Sequence, residues 1–363
     1  MMSIFKKAYF PLALIAIFWA LITMVKLRYN GLVFGFDYGN YQPDGAHYTY
    51  RTLTFLGKSP SEASGEVAQW YSNHAFKMSN LNADSLIPSN NPVWGLVSSR
   101  VLYPLLSIPF VYLLGIPGML VIPALSLLIM MIAIYFLGSH YNHSKLGLIL
   151  AIGITLSPTI LRWMIVNCTD SLLAGLFSIV VLVLTKTSHL RQLIFLVLLC
   201  GLTSATRICL PIWISISFIF WLKKNRKSSV LLFICSFLFS LPALLTQPKN
   251  AILPGAGNIG FFPKLLVIPM SFIKIAFYEI LELIVLDRIL LIFLGISLYY
   301  GLTNLHRNSS RFFLATLLSV WALAAINGTV GTNFRYELPL IPFASWLLFD
   351  NYNRREINLN VEK

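Results

Sequence analysis

Between Phe36 and Arg51 the chain sets two carboxylates, Asp37 and Asp44, among Asn40, Tyr41, His47, Tyr48, Tyr50 and Arg51. Pro43 and Gly45 bracket Asp44 as a turn and no helix breaker follows before Gly57, so Asp44 is expected to cap a helix. Helical spacing then sets His47, Tyr48 and Arg51 on the side of Asp44. A carboxylate beside an imidazole, a phenol and a guanidinium suits general-base activation of a hydroxyl close to a phosphate. The same spacing suits a structural role, with Asp44 as helix cap and Arg51 as headgroup anchor. His47 and His74 could share a metal with Asp37 or Asp44, but no spacing demands a divalent ion, and that question stays open.

Other candidates stand at the ends of apolar runs. Asp170 follows Asn167-Cys168-Thr169, where a carboxylate either stabilises a helix N-terminus or reaches the same cavity as Asp44. Arg207 and Arg335 sit where arginines usually snorkel to lipid headgroups. Several guanidiniums on one face would instead grip a lipid phosphate or pyrophosphate bidentately. The four cysteines show no CxxC or Cys/His spacing, so neither a disulfide framework nor a zinc site follows.

The elements that must position these residues are apolar. The chain is 57% hydrophobic and 11% charged with mean hydropathy +0.75, against about 25% charged in soluble domains. Continuous apolar runs of roughly 15–22 residues recur from Ala8 to Phe349, matching the ~20 residues of a spanning helix. The net charge of +14 falls mostly in short loops, a positive-inside pattern and not a nucleic-acid stripe, so no nucleic-acid partner is expected. Ala8–Leu27 lacks a small-x-small cleavage site and reads as a retained first span.

If every basic cluster faces the cytoplasm, an even number of spans separates neighbouring clusters. Parity then demotes Val97–Gly115, with Arg100, Pro104 and Pro109, and Leu265–Leu286, with Lys274, Glu279 and Glu282, to surface-lying helices. The expected fold is all-α: a polytopic transmembrane helix bundle of about ten spans, near 8–27, 116–137, 146–161, 170–185, 191–206, 208–222, 229–246, 288–304, 312–327 and 337–350. A single domain over 1–350 carries a large outer loop, 28–115, with interface-lying helices that include Gly65–Met78, and 351–363 form a short cytoplasmic tail. Both termini are cytoplasmic, and a bacterial inner membrane is the expected location. All acidic residues except Asp350, Glu356 and Glu362 then face outward.

This layout resembles the GT-C superfamily of membrane glycosyltransferases that use polyprenyl-phosphate-linked sugars. Pro43-Asp44-Gly45-Ala46-His47-Tyr48 resembles the family's acidic first-loop motif, with Gly45 where the family has a second acid. Arg100-Val101-Leu102-Tyr103-Pro104 is similar to the start of its second interface helix, and Ser157-Pro158 with Thr169-Asp170 to its second outer loop. Gly201-Leu202 through Thr206-Arg207 and Arg335-Tyr336-Glu337-Leu338-Pro339 resemble two later elements, in the expected order. The resemblance implies inverting transfer of a sugar from a polyprenyl-phosphate carrier to a lipid, glycan or protein acceptor on the outer face. It implies Asp44 as general base, with Asp37 in reserve, and arginines against the leaving phosphate. A flippase or transporter of lipid-linked glycans, or a polysaccharide polymerase, is the competing reading, although no internal repeat of the transporter kind is visible.

Overall fold

In the computed structural model the described residues are 2–29, 40–75, 81–91, 94–185, 189–246, 261–326 and 335–361, and among them the chain is all-helical, without strands. Three helical stretches are long and apolar enough to cross a membrane: Tyr9–Arg28, Ile116–His140 and Arg226–Thr246. Outward-facing side chains on these and neighbouring helices are large and apolar, for instance Phe10, Leu21, Phe237, Leu238 and Leu245. Such an exterior suits acyl chains better than water.

The first helix, α1 (Met2–Tyr29), leads into a loop region built of α2 (Pro43–Phe55), α3 (Pro60–His74), the short α4 (Trp94–Ser98) and α5 (Leu102–Leu114). Pro43 starts α2 at a position where its missing N–H costs nothing, and Gln42, not Asp44, is the cap residue. Asp44 therefore sits inside the first turn, a correction to the capping role expected from the sequence. Ser59 and Glu62 form a capping box that starts α3. Helix α5 has 13 residues, about 20 Å at 1.5 Å per residue, short of the ~30 Å hydrocarbon core.

A 3-10 turn, Ile116–Leu120, feeds α6 (Val121–His140), which packs on α1, α5 and on the next helices, α7 (Ser144–Thr155) and α9 (Thr169–Leu184). The sequence treats 146–161 as one span; the structure breaks it at Ser157 into α7 and a six-residue α8 (Pro158–Trp163). Pro158 has no N–H to continue the ladder, and Ser157 caps the new helix by accepting from the Ile160 N–H at 3.2 Å. Then follow α10 (His189–Thr206), α11 (Leu210–Leu222), α12 (Arg226–Thr246), α13 (Phe261–Leu286), α14 (Arg288–Thr303), α15 (Asn308–Ile326) and α16 (Leu340–Val361).

Two features of the last helices stand out. The stretch assigned to a cytoplasmic tail continues α16 as helix through Val361, because nothing in Asn351–Val361 breaks it and Asn351 is anchored to Arg307 at 2.6 Å. Helix α13 is continuous over 26 residues and buries Ile275, Glu279 and Leu283, spaced one turn apart, with Ile275 packed against Ala324 and Ala325 of α15. One face of α13 is thus packed on the bundle while positions such as Met270, Ile273 and Val285 are exposed.

Helices α6 and α7 approach closely where Gly138 faces Gly147. A Cβ at Gly138 would lie 2.6 Å from the Gly147 Cα, so both helices approach to a distance that only small residues permit. Gly138→Ala should therefore destabilise the solubilised protein by about 1–3 kcal/mol. Gly295→Ala on α14, where an added Cβ meets nothing within 4 Å, should be neutral or slightly stabilising. Thermal unfolding of the two variants checks this.

Candidate active site

Four chain segments that are distant in sequence deliver charged groups to one place. Asp44 comes from the first turn of α2, Asp170 from the first turn of α9, Arg207 from just past α10, and Arg335 from the turn before α16. The Arg335 guanidinium donates from Nη2 to Asp44 Oδ2 at 2.5 Å and from Nε to Asp170 Oδ2 at 2.8 Å. Arg207 Nη1 donates to the other Asp170 oxygen. The result is an alternating chain, Asp44–Arg335–Asp170–Arg207, in which Asp170 is shared by two guanidiniums and Arg335 by two carboxylates.

The arginines are held on their faces as well as their edges. Arg335 lies over the Trp163 ring at 5.2 Å and Arg207 over the Tyr336 ring at 3.9 Å, contacts that stabilise a cation most when desolvated. Trp163 closes α8, so the break at Ser157–Pro158 is what aims it at Arg335. Beside this chain, Arg100 donates to the Tyr48 hydroxyl at 2.7 Å. Arg100 makes no ion pair among the described residues, but it lies close enough to Asp44 for the two charges to attract.

Exposure separates the two acids. Asp170 is 1% exposed, whereas 44% of the Asp44 side chain is open. Asp44 is thus the accessible end of the chain. The Arg335 guanidinium holds its carboxyl well below the usual carboxylate range, with Arg100 and Arg207 adding smaller pulls in the same direction. Burial lowers the pKa of His47, opposed in part by Asp44, so the imidazole is neutral at neutral pH. Its Nδ1 meets Asn91 Nδ2 at 3.0 Å, which leaves the proton on Nε2. Burial also raises the Tyr48 phenol, keeping it protonated as the neutral partner of Arg100.

Gly45 explains how α2 docks. A Cβ there would fall 2.2 Å from the Asn167 side chain. Asn167 occupies that space to accept from the Gln42 N–H at 2.7 Å, while its own N–H donates to the Asn40 carbonyl at 3.0 Å. Its amide nitrogen also donates to the Tyr71 hydroxyl. The stretch before α9 is thereby clasped to the start of α2, which brings Asp170 to Asp44. A second acid at position 45 has no room.

Of the residues the sequence singles out, Asp44, Asp170, Arg207 and Arg335 converge, and Tyr48 and His47 flank them. Arg51 does not join them: it donates to the Val97 and Ser98 carbonyls at 3.0 and 2.5 Å, satisfying the end of α4. Asp37 lies outside the described residues. His74 stacks on Trp70, on the far end of α3. Arg100 and Asn167 also adjoin the cluster, though residue patterning did not place them there; the Arg100-x-Leu102-x-Pro104 run was the available signal for one, and nothing local marks the other. Among the described residues no group of three or more His, Cys, Asp or Glu is gathered to hold a metal ion.

No protein-family model matches the chain, and no curated protein sequence matches it.

Removing Asp170 leaves two guanidiniums in an interior without their shared partner. Asp170→Ala should cost about 3–5 kcal/mol, read as a large fall in thermal stability of the solubilised protein. Asp44→Asn, at the open end, should cost far less. Because the folded pKa of Asp44 is depressed, its contribution is fully present above the ordinary carboxylate pKa of ~3.9 and is lost only as pH falls through the lower folded value. Its titration therefore leaves stability between pH 5 and 8 unchanged.

Proposed function

We propose that the chain is an integral membrane glycosyltransferase of the GT-C kind, moving a sugar from a polyprenyl-phosphate carrier to an acceptor hydroxyl on the outer face of a bacterial inner membrane. The observation that carries this reading is the Asp44–Arg335–Asp170–Arg207 chain with the Arg100 guanidinium beside it. An accessible carboxylate and three guanidiniums are the two halves that glycosyl transfer from a phosphate needs.

The salt bridge between Asp44 and Arg335 gives the reaction an order. While Arg335 holds Asp44, the carboxylate is a poor base because its pKa is low. A donor phosphate competes for the outer nitrogen of Arg335, while Asp170 keeps the Nε side in place. Released from that pull, Asp44 rises toward ordinary carboxylate basicity. The acceptor hydroxyl then attacks the anomeric carbon, its proton passes to Asp44, and the bond from that carbon to the phosphate oxygen breaks. The oxygen keeps the electron pair, and Arg335 and Arg100 balance the charge that develops on it. Attack opposite the leaving group inverts the anomeric centre.

On this reading the bundle has about ten spans with both termini cytoplasmic, and membrane lipids surround it. Reporter tags near Glu62, Lys249 and Gly331 should label from outside and one at Lys224 should not; an outside label at Lys224 overturns the topology.

The mechanism itself is tested in a reconstituted transfer assay. Asp44→Asn keeps size and much of the hydrogen bonding but not the basic carboxylate, so kcat should fall by about 10²–10⁴ while donor binding persists. Arg335→Ala should weaken donor binding, with partial recovery in Arg335→Lys, which keeps charge but not the fork. The acid limb of kcat should lie at higher pH than that of kcat/KM, since the donor-bound enzyme has the more basic Asp44. Normal turnover in Asp44→Asn with loss in Asp37→Asn moves the base to Asp37; unchanged turnover in both refutes the mechanism.

A further inference from the structure

Two cavities meet at the turn between α5 and α6. One, of 460 Å³, lies between α1 and α6, with Trp19, Leu27, Leu120, Val121, Ala124 and Leu125 in its wall. The other, of 350 Å³, runs along α3 and is lined there by Glu66, Gln69, Trp70, Asn73 and His74. Those five positions follow the i, i+3, i+4, i+7, i+8 rule, so a single face of α3 forms the polar wall. Leu114 and Pro117 border both cavities, so a ligand reaching past them would occupy the two as compartments of one groove.

The groove is held in shape from both ends. Trp19 Nε1 donates to the Ala124 carbonyl at 2.6 Å, fixing α1 on α6, and Tyr103 donates to the Met119 carbonyl at 2.7 Å, fixing the turn. Both volumes fall within the ~300–1,000 Å³ of small-molecule sites.

Its two compartments differ in chemistry. The α1–α6 part is mostly apolar and borders α1, whose Tyr9–Arg28 stretch is the least buried of the three long apolar stretches. The α3 part offers two carboxamides, a carboxylate and an imidazole, and the exposed His74 ring stacks on Trp70 at 3.8 Å and 10°, forming a flat aromatic plate. Among the described residues no Lys or Arg lines either compartment, and the Glu66 carboxylate is already paired with Lys58. Among the described residues a phosphate headgroup would have to take Lys58 from Glu66 to find a counter-charge there. An uncharged polyhydroxyl head finds donors, acceptors and a plate for its C–H face, and its chain finds the apolar compartment.

We propose that α1, α3 and α6 form a binding site for a neutral glycolipid, with the hydrocarbon chain between α1 and α6 and the sugar head along α3. The site includes none of the ion-paired residues of the Asp44 cluster and does not depend on the transferase reading, although Asn40, which accepts from Asn167, also lines the chain compartment.

Photolabelling of the full chain in phosphatidylcholine nanodiscs tests it. Two dodecyl glucoside probes are used, with a diazirine on the sugar or on the chain. The sugar probe should label the peptide 66–74, and the chain probe residues 19–27 and 120–125. Excess dodecyl glucoside should compete with both, and dodecyl phosphate with neither. Gln69→Leu combined with Asn73→Leu, both at exposed positions that leave the fold intact, should cut sugar-probe labelling about tenfold by removing its hydrogen-bond partners. Val121→Trp should block the chain compartment and reduce labelling by both probes. Equal competition by dodecyl phosphate, labelling elsewhere, or labelling unaffected by these substitutions overturns the proposal. Asp44→Asn should label as the unaltered protein does, so a failure of transfer and a failure of this site are read separately.

Discussion

Everything around the candidate site answers to one constraint: Asp170 is a carboxylate almost wholly removed from water. An isolated ion in such a place is prohibitively costly, and the cost is offset only by partners of opposite charge held at hydrogen-bonding distance. Two guanidiniums supply that, one on each oxygen. Their own desolvation is met by Trp163 and Tyr336 across their faces. The end of α8, the start of α9, the end of α10 and the entry to α16 must therefore arrive together, or none of these charges is tolerable.

The joints between helices carry that requirement outward. Asp287, itself buried, accepts from the Ser157 hydroxyl, from the Thr159 N–H at 3.0 Å and from the Leu290 N–H at 3.0 Å, so one carboxylate caps both α8 and α14. That locks the break after α7 and with it the position of Trp163. On the other side, Asn167 ties the approach to α9 to the start of α2 through Gln42 and Asn40. Arg51, which does not reach the site, bonds the carbonyls that end α4 and so fixes the stretch leading to Arg100.

Local patterning made part of this legible. Apolar runs outlined α9, α11, α12 and α14 within a few residues, since each is bounded by polar or breaking residues, and the start of α2 was read two residues late, with Asp44 in place of Gln42 as its cap. The acids and arginines at run ends were visible as unusual, because charge at the edge of an apolar stretch needs a reason. What could not be read is which of them pair. Arg51 and Arg100 are equally basic and stand near equally aromatic sequence, yet one satisfies helix-end carbonyls and the other a phenol beside Asp44. The role of Asn167 depends on the missing side chain at Gly45, a contact over more than a hundred residues that no periodicity encodes. The break at Ser157–Pro158 was written in the proline but outweighed by the apolar run around it.

The asymmetry between the two carboxylates says which part of the chain is built to change. Asp170 accepts from both guanidiniums and is closed to solvent, so moving it would strand two cations in a poorly solvated interior. Asp44 is held through one guanidinium nitrogen and leaves much of its side chain open. An anion entering from that open side meets Arg335, with the Arg100 guanidinium nearby, and it can replace Asp44 on Arg335 without disturbing Asp170. Exchange of one anion for another at a fixed guanidinium leaves the buried charge balance intact while freeing a carboxylate. On the transferase reading, that exchange couples arrival of the donor phosphate to the appearance of the base, and it confines the rearrangement to the solvent-facing end of an otherwise static network.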